Sequence, residues 1–311
     1  MISIIIPIYN SATFLDACLD SVLKQTYTNF EVVCVDDGST DSSLRICDNY
    51  ASRDKRIRIF HKNNGGVSSA RNFGISVSKG ELLCFVDSDD VINSHYLESL
   101  HNALHINTDI SICGWSRTSD TKADDPKPSE TIQRKEFVSN IFKPKQWPLI
   151  VCMLMRREII ISNSILFDEN IFWGEDSEFF LHYLSCCAGD VGITTYIGYV
   201  YRNHTKSAMN NLSFRSLTAV DAAYKSEKWL SQVDGVNATS FYHIQGTIAK
   251  LLYLSMTSNN IEIFNEIHSR YDVRGAMRDL LKSNDFKKKL FSLTYLSLGP
   301  SLLFKVSSCF K

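Results

Sequence analysis

Val32-Val33-Cys34-Val35-Asp36-Asp37-Gly38-Ser39-Thr40-Asp41-Ser42 passes from an unbroken apolar run into two carboxylates, a glycine and a row of helix-capping side chains. A buried strand that ends and feeds a helix has this signature. The same alternation spreads to both sides. Apolar runs at 2–6, 31–35, 57–60, 82–86 and 110–113 are short, largely β-branched and lack polar alternation, as strands covered on both faces do. Between them, helical spacing relates Phe14, Cys18, Val22 and Leu23 after Ser11 and Thr13, then Leu44 and Cys47 after Asp41. It also relates Ala70, Phe73, Gly74 and Val77 after Ser68. The alternation predicts βαβ crossovers and an α/β fold with a doubly wound sheet, whose ligands bind at the carboxyl ends of the strands.

The remainder reads differently. Residues 119–129, rich in Asp, Lys and Thr with Pro126 and Pro128, predict a loop, and a helix is expected near 135–142. A further helix is expected at 175–187 and one or two strands at 191–201. Beyond 210 the pattern is helical throughout, at 214–233, 240–258, 261–271 and 274–281. The expected division is an α/β domain over 1–210 and a helical region over 211–311.

Composition narrows the function classes. The 311 residues carry 33 Lys+Arg against 34 Asp+Glu, a net charge of −1, so a basic nucleic-acid binder is excluded. With 44% apolar residues the chain can bury a substantial core. The nine cysteines form no CxxC pair, and Cys34 and Cys84 sit inside apolar runs. Free thiols in a reducing cytoplasm are expected, since the start lacks a secretory pattern and no run of 18 apolar residues exists.

The polar residues gather at the strand ends. Asp36 and Asp37, followed by Gly-Ser-Thr-Asp at a helix start, form either a polar pocket at a positive helix end or a turn with its cap. Asp87-Ser88-Asp89-Asp90 places three carboxylates within four residues, which repel unless a cation or proton relieves them. Such a turn is either solvated or presents oxygens to Mg²⁺ or Mn²⁺, and its position after an apolar strand favours a metal with a phosphate-bearing substrate. In Asn63-Asn64-Gly65-Gly66, the glycines admit close approach to backbone amides, and Arg71 reaches either a phosphate or the aspartates. Phe172-Trp173-Gly174-Glu175-Asp176-Ser177-Glu178 sets acids at a helix start beside an indole, suited to a general base or simply to the helix dipole. His204, in Tyr201-Arg202-Asn203-His204, is a metal ligand, a phosphate donor or a surface histidine.

The order of these segments carries more than any one of them. Pro7-Ile8-Tyr9-Asn10, Val35-Asp36-Asp37-Gly38-Ser39-Thr40-Asp41, Asn64-Gly65-Gly66 with Ala70-Arg71-Asn72 and Gly74, Asp87-Ser88-Asp89-Asp90, and Gly174-Glu175-Asp176 follow one another along the chain. This set resembles family 2 of the inverting nucleotide-sugar glycosyltransferases over about residues 1–207. The resemblance implies the GT-A fold, Rossmann-like with a mostly parallel sheet flanked by helices. It implies that Pro7, Tyr9 and Asp36 line the nucleoside pocket, with Asp36 accepting from the uracil imide. Asn64 and Arg71 help hold the nucleotide and the acidic loop, and Asp87, with Ser88 beside it, faces ribose or sugar. Asp89 binds the Mn²⁺ or Mg²⁺ that bridges the pyrophosphate, and His204 completes its shell. Asp176 is implied as the base for the acceptor hydroxyl. Asn10, a further donor contact in this set, departs from the family, where many relatives carry Glu.

The partners implied are a UDP-sugar and a lipid-linked saccharide acceptor in surface-polysaccharide synthesis, on the inner face of the membrane and without nucleic acid. Two alternatives remain at this stage. A nucleotidyltransferase would want a Gly-rich basic signature after the first strand, and a noncatalytic nucleotide-sugar binder would have lost the base or the acidic turn. The segment 284–311 combines five lysines with an apolar set around Gly299-Pro300. It reads either as a helix on anionic lipid or as a packed final helix.

Overall fold

The computed structural model describes residues 1–117, 128–141, 148–202, 212–233, 235–237 and 243–283, and 285–309 with 305–309 as helix only. In chain order the elements are β1 (Ile2–Ile8), α1 (Ala12–Leu23), β2 (Phe30–Asp36), α2 (Ser43–Ala51), β3 (Ile57–His61), α3 (Val67–Val77) and β4 (Leu82–Phe85). Next come β5 (Val91–Ile92), α4 (Tyr96–Ala103), β6 (Thr108–Ser116), β7 (Ser129–Ile132), α5 (Arg134–Asn140), β8 (Met153–Arg156) and α6 (Arg157–Ser162). After α7 (Glu175–Cys186) and β9 (Asp190–Val200), the chain continues through α8 (Thr218–Leu230), α9 (His243–Thr257), α10 (Ile261–Arg270), α11 (Val273–Leu280), α12 (Phe286–Leu298) and α13 (Pro300–Cys309).

The chain divides into two units. The first takes Met1–Phe137, Pro148–Glu169 and Cys186–His204, and the second Val138–Trp147, Asn170–Ser185 and Thr205–Lys311. The first holds one sheet of order β3-β2-β1-β4-β8-β6-β9-β5, with β7 also on β9. Pairing is parallel among β3, β2, β1 and β4 and between β6 and β9. β8 runs antiparallel between β4 and β6, and β5 and β7 run antiparallel to β9. Every residue of β1 and β2 is buried, which is why their sequences lack alternation.

Local geometry accounts for two residues that a strand or helix would otherwise reject. Pro7 lies inside β1, although the apolar run proper is 2–6. The carbonyl of Ile5 accepts from the Val86 amide, so Pro7, two residues on, faces the same side, where pairing with β4 has already ended. Its missing N–H therefore leaves no gap in the ladder. Gly74, within α3, would set a Cβ 2.4 Å from the Ile5 side chain, so only glycine lets α3 lie this close to β1.

The second unit is helical among its described residues. Its core gathers Leu217, Val220, Ile248, Leu252, Ile267, Met277, Leu280 and Tyr295. The helix starts are set by side-chain caps: Asn260 accepts from the Ile263 amide at 3.0 Å, Asp272 from Gly275 at 2.9 Å, and Asp285 from Lys287 at 2.9 Å.

Candidate functional site

The register places Ile8 opposite Asp36, and Asp36 opposite His61, so three strands of the first unit end at one level. Asp36 is wholly buried, with Oδ2 2.6 Å from His61 Nδ1 and Oδ1 accepting from the Ser39 amide at 3.4 Å. Its neighbour Asp37 has a different task. It accepts from Lys62 Nζ at 2.6 Å and from the Gly66 amide at 2.7 Å, and it also accepts from the Gly65 amide. Asn64 donates to the Asp37 carbonyl at 2.9 Å. Asp37 thus holds the glycine loop against the end of β2, and Gly66, at φ +90°, opens α3 in a conformation that favours glycine.

The exit of β1 is tied to the same loop. Asn10 adopts φ +50°, a left-handed conformation that asparagine tolerates better than most residues. Its amide donates to Ser39 Oγ at 3.0 Å and its Oδ1 accepts from the Thr40 amide at 2.8 Å. Asp41 accepts from the amides of Ala12 and Ser43. Its burial works the other way, but these hydrogen bonds and that of the Ser43 hydroxyl keep its carboxyl below the usual range. The adjacent Tyr9 is left 53% exposed beside this rigid loop.

Arg71 meets one of the aspartates that its sequence offered. It is buried, its Nη2 donates to Asp87 Oδ1 at 3.0 Å, and its guanidinium lies 5.2 Å from the centre of the Phe167 ring. Ser88 is turned inward, with Oγ 2.7 Å from Ser11 Oγ. Asp90 is buried as well. Its Oδ2 accepts from the Tyr199 hydroxyl and its Oδ1 from the Arg202 amide, each at 2.7 Å. Burial, reinforced by Asp87, pushes its carboxyl up to about 7, with Asp89 adding to the rise against those two hydrogen bonds. Burial, with Asp87 and Asp90, raises the Tyr199 phenol well above its ordinary value, so it stays a donor. Its oxygen also accepts from the Asp87 amide at 3.3 Å.

Arg202 fastens the acidic turn from outside. Nε donates to the Asp89 carbonyl at 2.5 Å and Nη2 to the Phe14 carbonyl of α1 at 3.1 Å. Asp87 and Asp89 are half-buried, and among the described residues no three acidic, histidine or cysteine side chains converge into a closed cage. That donor set suits a hard divalent ion held by one or two carboxylates and completed by substrate phosphates, rather than a structural zinc. His204 lies outside the described residues.

Asp176 belongs to the second unit. Gly174, at φ +87°, turns the chain into α7, and a Cβ there would meet Ala222 at 3.1 Å. Asp176 is half-buried, and its Oδ1 accepts from the Ser177 amide at 2.7 Å. Trp173 packs on the helical core. The indole that meets an acid of this helix is Trp229, whose Nε1 donates to the buried Glu178 at 2.6 Å while its ring stacks on His182 at 3.7 Å.

Tyr199 and His61 are contributors that motif reading passed over, and Arg202 was noted only as part of the segment around His204. One signal was available: a third carboxylate, Asp90, after a buried strand needs buried donors. Their positions, 109 and 112 residues along the chain for Tyr199 and the Arg202 amide, were not.

A family model described as Glycosyl transferase family 2 matches residues 3–163. Over 191 residues the chain is 39% identical to the uncharacterized glycosyltransferase EpsJ of Bacillus subtilis, covering 58% of this chain and 54% of EpsJ. The chain thus spans about half the length of that relative. Its structure is similar to that of S. aureus TarS in complex with UDP-GlcNAc, with TM-score 0.68 and 20% identity over 99% of this chain and 87% of that one. It is also similar to the mannosyltransferase PcManGT from Pyrobaculum calidifontis in complex with GDP-Man and Mn²⁺, with TM-score 0.51 and 14% identity over 98% and 82% of the two chains. At those identities the likeness carries the fold alone, and that fold is GT-A.

Proposed function

Because the chain belongs to glycosyl transferase family 2, we propose that it moves a sugar from a UDP-sugar to a hydroxyl of a saccharide acceptor, with inversion at the anomeric carbon. The observation that carries this reading is the acidic turn, in which Asp90 and Arg71 are buried and bonded so that the turn is rigid beside the ends of β1 and β2. Preorganised dipoles and charges of this kind need no rearrangement when charge develops in a transition state.

In this reading Pro7, Tyr9 and Asp36 receive the nucleoside, with Asp36 accepting from the base, and Asn10 and Asn64 shape the loop around it. Arg71 holds Asp87 toward ribose or sugar, with Ser88 setting the turn. Asp89 and His204 would hold Mn²⁺ or Mg²⁺, which supplies charge neutralisation for the departing diphosphate. Asp176 takes the acceptor's hydroxyl proton as that oxygen attacks the anomeric carbon, and the bond to UDP breaks on the opposite face. The TarS complex with UDP-GlcNAc supports a uridine donor, and the Mn²⁺ of PcManGT supports a divalent ion. The acceptor we propose is a lipid-linked saccharide in surface-polysaccharide synthesis, met at the cytoplasmic membrane surface.

Release of UDP from a panel of UDP-sugars, with and without a lipid-pyrophosphate saccharide, tests the proposal. We expect turnover that requires the added metal, and Asp89→Asn to lower it by about a hundredfold or more. Full turnover under chelation would remove the metal from the mechanism. Donor binding with no release or transfer would make the protein a binder.

A further inference from the structure

Helix α12 packs one face and exposes the other. Ser292 and Tyr295 are buried, and Tyr295 joins the helical core. At about 100° per residue, Phe286, Leu290 and Leu293 fall within roughly 60° of one another on the opposite side. They are 76%, 53% and 55% exposed. Lys287 and Lys289 lie to either side of that stripe. On the flank beyond Lys287, Phe291 meets the exposed Tyr253 of α9 edge-on at 6.3 Å, with exposed Lys250 on the same face of α9.

Charge separates this segment from the rest of the chain. Residues 284–311 hold five lysines and one aspartate, a net of +4 on a chain of net −1, which leaves −5 for the remainder. The aspartate, Asp285, is engaged as the cap of α12, accepting from the Lys287 and Lys288 amides. An apolar stripe flanked by cations on both sides matches an anionic lipid surface, where rings and leucines enter the acyl boundary and ammonium groups meet headgroup phosphates. A second copy of the chain fits poorly, because a two-fold contact through this stripe sets lysines against lysines. Among the described residues no helix is long and apolar enough to cross a membrane, so the helix would lie in the surface.

We propose that the Phe286–Leu290–Leu293 stripe of α12, with its flanking lysines, docks the protein on anionic lipid. This stripe supplies a means of reaching the membrane surface that the proposed function invokes, without depending on its donor or acceptor.

Sedimentation of the full chain with vesicles tests it, using phosphatidylcholine alone or mixed with phosphatidylglycerol, and no sugar present. Binding is expected with the mixed vesicles, weakening as salt is raised. The double variant Leu290→Asp/Leu293→Asp should lose most of that binding, and Lys287→Glu and Lys289→Glu should each weaken it by about fivefold or more. Leu290, Leu293 and Lys287 are exposed and Lys289 is half-buried, so thermal unfolding by circular dichroism and UDP release in solution should match the parent protein. Failure of vesicle binding alongside intact UDP release would overturn the docking surface alone. So would binding to mixed vesicles that Leu290→Asp/Leu293→Asp leaves unchanged. A lipid-independent dimer that the same variant dissolves would assign the stripe to a second copy instead.

Discussion

The two acidic clusters of this protein reach low energy by opposite routes. At Asp87–Asp90, in the sheet unit, Asp90 is drawn into the interior and Asp87 is half-buried, and both are met by donors from distant segments: Arg71 on Asp87, and Tyr199 and the Arg202 amide on Asp90. At Glu175–Glu178, in the helical unit, the acids sit in the first turn of α7, where the helix dipole favours negative charge and Asp176 accepts from the adjacent Ser177 amide. Only Glu178 there is buried, and it takes the Trp229 indole N–H. The lesson is that identical residue types differ in rigidity according to who supplies their hydrogen bonds. A turn pinned by buried donors is fixed in place, and an acid served by its own helix start keeps an oxygen for chemistry.

The largest test of that contrast is Asp176→Asn. If the acid on the helix start is the base, turnover should fall by about 10²- to 10⁴-fold while the donor Kd, measured by calorimetry, hardly moves. Loss of donor affinity with unchanged turnover at saturation would make Asp176 a structural residue and shift attention to Glu175. A smaller effect is expected from Tyr199→Phe. It removes one donor from the buried Asp90 and one acceptor from the Asp87 amide, and should cost about 1–3 kcal/mol of stability. Urea unfolding measures the loss, and donor affinity should weaken with it because the turn loosens. An unchanged midpoint would show that Asp90 is not held by that phenol.

At neutral pH the smallest effect is that of a buried base, which sharpens the comparison by standing in place of an acid. His243, in the helical unit, is lowered from 6.5 to about 4 by burial, with Lys288 adding to the effect. Burial favours the neutral form in both units, raising Asp90 and lowering His243. Below pH 6.5 the unfolded chain takes up a proton at this position that the native chain refuses. Stability is therefore complete above that pH and declines as the pH falls toward 4, by at most about 1.4 kcal/mol per pH unit. His243→Gln should flatten the slope of Tm between pH 6.5 and 5, and an unaltered slope would reassign it to other groups.

Particular residues show how far the sequence could be read. The runs at 2–6 and 31–35 are strands because their uninterrupted apolarity fits only a position covered on both faces, and β1 and β2 are buried along their whole length. Helix caps are local in the same way, since a cap and its amide lie three residues apart or fewer, although Asp272 and Asp285 were not read as caps from the sequence. The acidic turn was visible as a cluster, and its place after β4 followed from the apolar run before it. Less legible was β8, four residues of which Met153, Leu154 and Met155 are buried, which could be strand or helix until β4 and β6 offered it edges.

What the sequence by itself determined, then, is everything encoded within a few residues: strand or helix, cap, glycine turn, and the order of polar segments at the strand ends. What only the tertiary structure decided is partnership. Arg71 finds Asp87, 16 residues on, through folding alone. Asp36 and Asp37 are adjacent and alike, yet one meets His61 and the other the glycine loop. Arg202 closes over the Phe14 carbonyl 188 residues away. A buried charge must find donors wherever the fold brings them, and no local periodicity records which distant residue that will be.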